Sequence, residues 1–195
     1  MMRCDKRQCP LHGRIEVPYA GNTRAQVVWI GESPGYYEEQ EGQPFIGDSG
    51  VLSKEVCQEV GLDWGSLFVM NSARCRIVKE DLGGKGVTKV LAHCREYVEA
   101  AIRHIKPKII VTTGDMAMRQ ILRKQGITKA RGTWIWSREF DCWVLPTFHP
   151  AYILRNMGMR PYLVMDLAEV VSAIRNEYKP IKHTEDGLQP GSPER

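Results

Sequence analysis

Short apolar runs recur along this chain, and each is separated from the next by a stretch that reads as helix or as loop followed by helix. Ala25 to Ile30 (A-Q-V-V-W-I), Leu67 to Met70, Lys108 to Thr113 (K-I-I-V-T-T), Trp134 to Trp136 and Cys142 to Leu145 read as buried strands. Asp48 or Ser49 caps a helix to Val60 with Gly61 as its stop. Thr88 opens another, with Leu91, Cys94, Val98, Ala101 or Ile102, and Ile105 on one face and Pro107 at its end. A third runs from Asp115 to Lys124, and a last one starts near Pro161 and stops before Pro180. Tyr36 to Gly47 and Ser72 to Gly86 read as loops. Strands alternating with helices predict an α/β fold: a three-layer α/β/α sandwich around a central, mainly parallel sheet.

A length of 195 residues suits one domain, placed at residues 1–178, with a Pro/Gly-rich flexible tail over residues 179–195. The tail carries as many acids as bases, so the net charge of +4 belongs to the folded part. That permits a polyanionic partner without demanding one. No run approaches a membrane span, and the first residues lack the apolar stretch of a signal peptide. A cytoplasmic monomer with no membrane contact is the expectation.

Four short words stand where strands give way to loops: Gly31-Glu32-Ser33-Pro34-Gly35, Pro44-Phe45-Ile46-Gly47, Asn71, and Thr147-Phe148-His149-Pro150-Ala151. An α/β sheet gathers such strand ends at one mouth, where carboxylates, a ring, an amide and an imidazole would meet. The first word spells G-x-S-x-G, the nucleophile elbow of hydrolases. That device needs a backbone N–H after the serine, which Pro34 lacks, and a helix starting there. The elbow is rejected.

Together with Glu38-Glu39, Gly42 to Gly47 and Asp48-Ser49-Gly50, these words resemble the family 4 uracil-DNA glycosylases, whose motif runs G-E-A-P-G-x-x-E-D-x-x-G-x-P-F-V-G-x-A-G. Pro146 to Arg155 (P-T-F-H-P-A-Y-I-L-R) is similar to that family's P-T-x-H-P-A-x-L-L-R. The resemblance spans Cys4 to Asp166. It implies a monofunctional DNA glycosylase of base excision repair, which hydrolyses the N-glycosidic bond of deoxyuridine in DNA and leaves an abasic site.

Roles follow from the resemblance and from chemistry. Phe45 offers a flat face for a base, and stacking supplies roughly 1–3 kcal/mol with little base preference. Asn71 both donates and accepts, matching uracil's N3–H and O4 and opposing cytosine. Tyr36 or Tyr37 is the expected wall against thymine's methyl group. His149 would donate to uracil O2 as negative charge develops there. Glu32 and Glu38 both affect catalysis by resemblance, through the attacking water or the cation-like sugar. Leu154 would fill the gap in the base stack, while Arg155 and Arg160 would hold phosphates.

Six cysteines are present, and Cys57 and Cys142 read as small buried hydrophobes. By resemblance Cys4, Cys9, Cys75 and Cys94 hold a 4Fe-4S cluster, although the first pair is spaced C-x4-C where the family more usually has C-x2-C. Tetrahedral zinc is the physical alternative. A second departure places Glu80 where the family has a site asparagine, and the chain lacks the histidine-bearing insert of relatives that trap their product covalently. Two rivals therefore stand beside the enzyme: a non-catalytic DNA-binding relative, and a zinc-stabilised nucleic-acid-binding module.

Overall fold

The computed structural model describes residues 7–78 and 82–176, with residues 83–85 as backbone alone, and the backbone of residues 183–184 and 187–188. The chain opens with an N-terminal arm that pairs Glu16 with Cys75 and then forms β1 (Ala20–Gly21). Next come β2 (Val27–Gly31), α1 (Tyr36–Glu41), α2 (Asp48–Val60), a 3-10 turn (Trp64–Ser66) and β3 (Phe68–Asn71). They are followed by α3 (Gly83–Ile105), β4 (Ile109–Thr113), α4 (Asp115–Leu122), α5 (Ile127–Ala130), β5 (Ile135–Ser137) and β6 (Cys142–Thr147). The chain continues through α6 (Pro150–Arg155), a 3-10 turn (Met157–Met159), α7 (Arg160–Ile174), β7 (His183–Thr184) and β8 (Gly187–Leu188).

One sheet holds the order β1-β3-β2-β4-β6-β5-β7-β8, and its centre, β3-β2-β4-β6, is parallel throughout. β1 and β5 pair antiparallel at the flanks of that centre. Parallel centres must be covered on both faces, because their crossovers lay helices on each side. The core shows this directly. Val27 and Trp29 of β2 join Val111 and Leu145 under α2 and α7, while Val28 and Ile30 join Ile110 and Val144 under α3 and α4. Alternate side chains thus feed opposite faces, giving the three-layer α/β/α arrangement.

Several local features depart from the sequence expectation; one is the N-cap of α2, which is Gly47 rather than Asp48 or Ser49. Tyr36–Glu41 is a short helix inside the expected loop, closed by Gly42 in the left-handed conformation. α3 begins at Gly83, ahead of Thr88, and its glycine-rich first turn hid it. Gly114 rather than Asp115 is the N-cap of α4, and the Asp115 carboxylate accepts instead from the N–H groups of Gly126 and Ile127. α6, begun by Pro150 right after His149, is an unexpected element. Within the tail, β7 pairs with β5 and β8 with β7; its remaining residues lie outside the described ones, as do Cys4 and Glu80. Among the described residues, no helix is long and apolar enough to cross a membrane.

Candidate active site

β2 runs to β3 on one side, and the chain then returns to place β4 on β2's other side. The carboxyl ends of β2 and β4 therefore flank the crevice where doubly wound sheets bind ligands. Both strands meet that crevice with a glycine. Gly31 ends β2 and lies in register with Asn71 at the end of β3. A Cβ on Gly31 would collide with Asn71 Oδ1 and stand 3.0 Å from Phe45 Cζ. Gly114, one residue past β4, has φ +89°, and a Cβ there would collide with Glu32 Oε1 and lie 3.0 Å from the His149 Cβ. Two missing side chains thus leave room, Gly31 for Asn71 and Phe45, and Gly114 for Glu32 and His149.

Phe45 is held in an unusual way. Its φ of 58° is left-handed, which costs a bulky residue roughly 1–2 kcal/mol. The chain is kept there by Glu38, whose carboxylate accepts from the N–H groups of Gly35 (3.1 Å), Ile46 (3.1 Å) and Gly47 (2.8 Å). Gly50 in the first turn of α2 leaves space for the Phe45 carbonyl, which a Cβ would strike. The ring is buried and backed edge-on by Trp64 at 5.6 Å. Glu38, expected in the chemistry, has both oxygens occupied by backbone. Its geometry is that of a loop anchor rather than a water ligand.

His149 caps α6, its Nδ1 accepting from the Ala151 N–H at 3.1 Å. An Nδ1 that accepts leaves the proton of a neutral ring on Nε2, as a donor. Burial pushes the His149 pKa below its usual value; Glu32 pulls the other way, and Arg155 reinforces the fall. Glu32 itself accepts from the Met116 N–H at 3.3 Å, at the first turn of α4. The strand that delivers His149 is fixed from behind. The Thr147 hydroxyl donates to buried Asp166 of α7 at 2.6 Å, and Arg131 pairs with the same carboxylate at 2.7 Å. Burial raises Asp166 to about 6, against the lowering effects of Thr147 and Arg131. Sequence reading missed Asp166 and Gly114, and took Gly31 only as the first letter of a motif word; the signal for both glycines was their position directly after β-rich runs.

Two expected residues stand elsewhere. Tyr36 is a surface residue of α1, its ring meeting Tyr37 and the Arg76 guanidinium rather than Phe45 or Asn71. Those contacts give no support to Tyr36 as the wall against thymine's methyl group. Arg160 is tied to Glu59 of α2 at 2.6 Å, which takes its charge into a link between helices. Leu154 and Arg155 are exposed on α6, next to His149, with Tyr152 beside them. A cavity of about 890 Å³, lined by Lys106, Lys108, Trp136, Phe140 and Trp143, lies instead at the strands' amino ends and holds none of the expected site residues.

Cys9, Cys75 and Cys94 are buried in one cluster with Leu11, Ala73, Leu82 and Val90. The Leu11 N–H points at Cys9 Sγ at 3.4 Å. Among the described residues, no three Cys, His, Asp or Glu side chains form a group spaced to hold a metal ion. Cys57 and Cys142 lie apart from that cluster, buried in the two main cores, and burial pushes both thiols up to about 12.

The family model of the uracil DNA glycosylase superfamily matches residues 18–171. A type-4 uracil-DNA glycosylase of Sulfurisphaera tokodaii is 35% identical over 79% of this chain and 72% of its own length. Those of Thermotoga maritima and Saccharolobus solfataricus are 33% and 32% identical, over 87% and 92% of this chain and 89% and 84% of theirs. Together with a mouth built from the ends of β2, β3, β4 and β6, this gives the chain its place: it belongs to the uracil-DNA glycosylase superfamily.

Proposed function

We propose that the protein hydrolyses the N-glycosidic bond of deoxyuridine in DNA, releasing uracil and leaving an abasic site. The observation that supports this is the pairing of Phe45 with Asn71 over Gly31 and of Glu32 with His149 over Gly114, at the ends of adjacent strands β2 and β4. A base must leave its stack to enter such a site. Phe45 stacks on it, and the Asn71 amide pairs with N3–H and O4. The bond from C1′ to the base breaks with its electron pair moving into the ring, where O2 takes much of the charge. His149 Nε2–H donates to that oxygen, and the Nδ1 bond to Ala151 supports this tautomer. Glu32 faces the sugar side, where it stabilises developing positive charge and accepts a proton from the attacking water. Glu38 acts by holding the Phe45 loop. Leu154 enters the vacated stack and Arg155 meets phosphate, and their exposure on α6, the helix that His149 caps, supports this. A monomer acting on DNA in the cytoplasm completes the proposal.

Cys4, Cys9, Cys75 and Cys94 are proposed to hold a 4Fe-4S cluster. Burial of three of these thiols together, beside the Glu16–Cys75 backbone pairing, supports the fit. The cluster would contribute structure, tying the N-terminal arm and the loop after β3 to the sheet. Zinc is the alternative, and iron and sulfide analysis separates the two.

A single-stranded oligonucleotide carrying one deoxyuridine, incubated with the protein and then treated with hot alkali, tests the reaction. Scission at the uracil site that disappears in His149→Ala supports it. Binding without scission would favour a non-catalytic relative.

A further inference from the structure

Helix α1 has its polarity reversed. Its sequence, Y-Y-E-E-Q-E, shows solvent two tyrosines, Tyr36 at 55% and Tyr37 at 63% exposure, and buries Glu38 and Glu39 at 7% each. A solvated surface helix does the opposite, and large exposed rings beside buried acids point to a partner surface. The acids have evident work. Glu38 holds the Phe45 loop, and Glu39 lies between Arg14 at 3.9 Å and Arg76 at 3.5 Å. The rings are left outward, edge to face with one another at 5.6 Å, with the Arg76 guanidinium 5.4 Å over Tyr36.

Their place in the fold names the partner. Tyr36 follows directly on the Gly31–Gly35 turn, whose Glu32 faces Gly114. Arg76 belongs to the segment leaving Asn71, whose Ala73 N–H donates to the Glu32 carbonyl at 3.0 Å. The rings and guanidinium therefore belong to the segments that leave the mouth at the ends of β2 and β3, while α6 with Leu154 and Arg155 leaves it at the end of β6. A strand with one nucleotide in the pocket has its neighbours passing over these two flanks.

We propose that Tyr36, Tyr37 and Arg76 form a stacking platform for an unpaired base adjacent to the excised nucleotide, so that the protein selects single-stranded DNA on that flank. The inference rests on the reading of the mouth as a DNA site. An aromatic face stacks on any base, and a guanidinium fixed by Glu39 sits beside it for a phosphate or a second stack. In a duplex the same neighbour is already paired and stacked, so the platform gains little from it.

The test uses uracil-free DNA, so its outcome does not depend on catalysis. Anisotropy titrations compare a labelled single strand with the same sequence as a duplex, for the wild type, Tyr36→Ala/Tyr37→Ala and Tyr36→Phe/Tyr37→Phe. The expected result is about tenfold weaker single-strand binding in the alanine pair, duplex binding within twofold, and recovery in the phenylalanine pair. Equal losses on both DNAs, no loss on either, or failure of the phenylalanine pair to recover would overturn the platform. If the alanine pair does not fold, the Arg76→Gln variant answers the same question, with a selective single-strand loss expected and an equal or absent loss contradicting. A wild type that binds single strands selectively yet releases no uracil refutes the catalytic reading and leaves this one standing.

Discussion

A methyl group at Gly31 would have nowhere to go: Asn71 Oδ1 and the Phe45 ring already share the space above it. Gly31→Ala should therefore cost at least tenfold in kcat/KM on a deoxyuridine strand, with circular dichroism unchanged; an unaffected rate would show that the two side chains do not act from this floor. His149 makes a pH prediction whose sign is fixed by its tautomer. Protonation would put a second N–H on Nδ1, against the Ala151 N–H that it now accepts, and burial disfavours the cation as well. The folded pKa thus lies below the unfolded value of 6.5. The neutral donor, and its share of stability, are intact above that value and are lost as pH falls through the lowered one. The rate should stay level through neutrality and decline only on the acid side, and His149→Ala should lose about a hundredfold to a thousandfold. A rate that falls as pH rises through 6 to 8 would mean that an imidazolium does the work.

Between elements, two buried carboxylates set the site's geometry. Glu38 ties α1 to the loop ahead of α2, and removing it leaves three backbone donors without their acceptor, each worth about 1–3 kcal/mol if it stays buried. Glu38→Ala should lower the unfolding midpoint by several degrees and weaken substrate binding together, whereas Glu32→Ala should affect rate with little change in stability. Asp166 ties α7 to β6. Its folded pKa of about 6 lies above the ordinary carboxylate value, so the native state holds a proton that the unfolded chain has lost between pH 4 and 6. Stability from this group declines as pH rises through that window. In urea titrations, the margin of wild type over Asp166→Asn should shrink from pH 4 to pH 6; a widening margin would contradict the assignment.

The same elements show what the sequence could and could not tell. β2, β3, β4 and β6 announce themselves because nearly all their residues are buried on both faces and most are apolar, and α2 is closed by Gly61. α1 reads as loop because its polarity is inverted: periodicity looks for buried apolar residues, and here the buried residues are Glu38 and Glu39. Motif words point to Phe45, Asn71, Glu32 and His149 at strand ends, and the fold sets Phe45 with Asn71 over Gly31 and Glu32 with His149 over Gly114. The words could not separate Glu32 from Glu38, because the three N–H groups that hold Glu38 and the Met116 N–H that meets Glu32 are brought to them only by folding. Tyr36 and Arg160 stand away from their expected places for a related reason, since exposure and the Glu59 ion pair are tertiary facts.

Across the whole molecule, a doubly wound sheet brings four strand ends to one crevice, and the N-terminal arm closes over the loop after β3 through Cys9, Cys75 and Cys94. If those thiols and Cys4 hold an iron–sulfur centre, protein purified without oxygen should be brown, with about four irons and four sulfides per chain. Cys75→Ala should then lose the colour and unfold at a lower temperature; a colourless wild type containing zinc would contradict that centre while leaving the mouth intact. What leaves that mouth decides the function. Free base released in a single turnover should be measured by chromatography from three strands that differ only in carrying deoxyuridine, deoxycytidine or thymidine, with wild type and with Asn71→Ala. Uracil alone should appear, and its rate should fall at least tenfold in the variant; release of cytosine at a matching rate, or uracil release untouched by Asn71→Ala, would contradict selective uracil excision at this site.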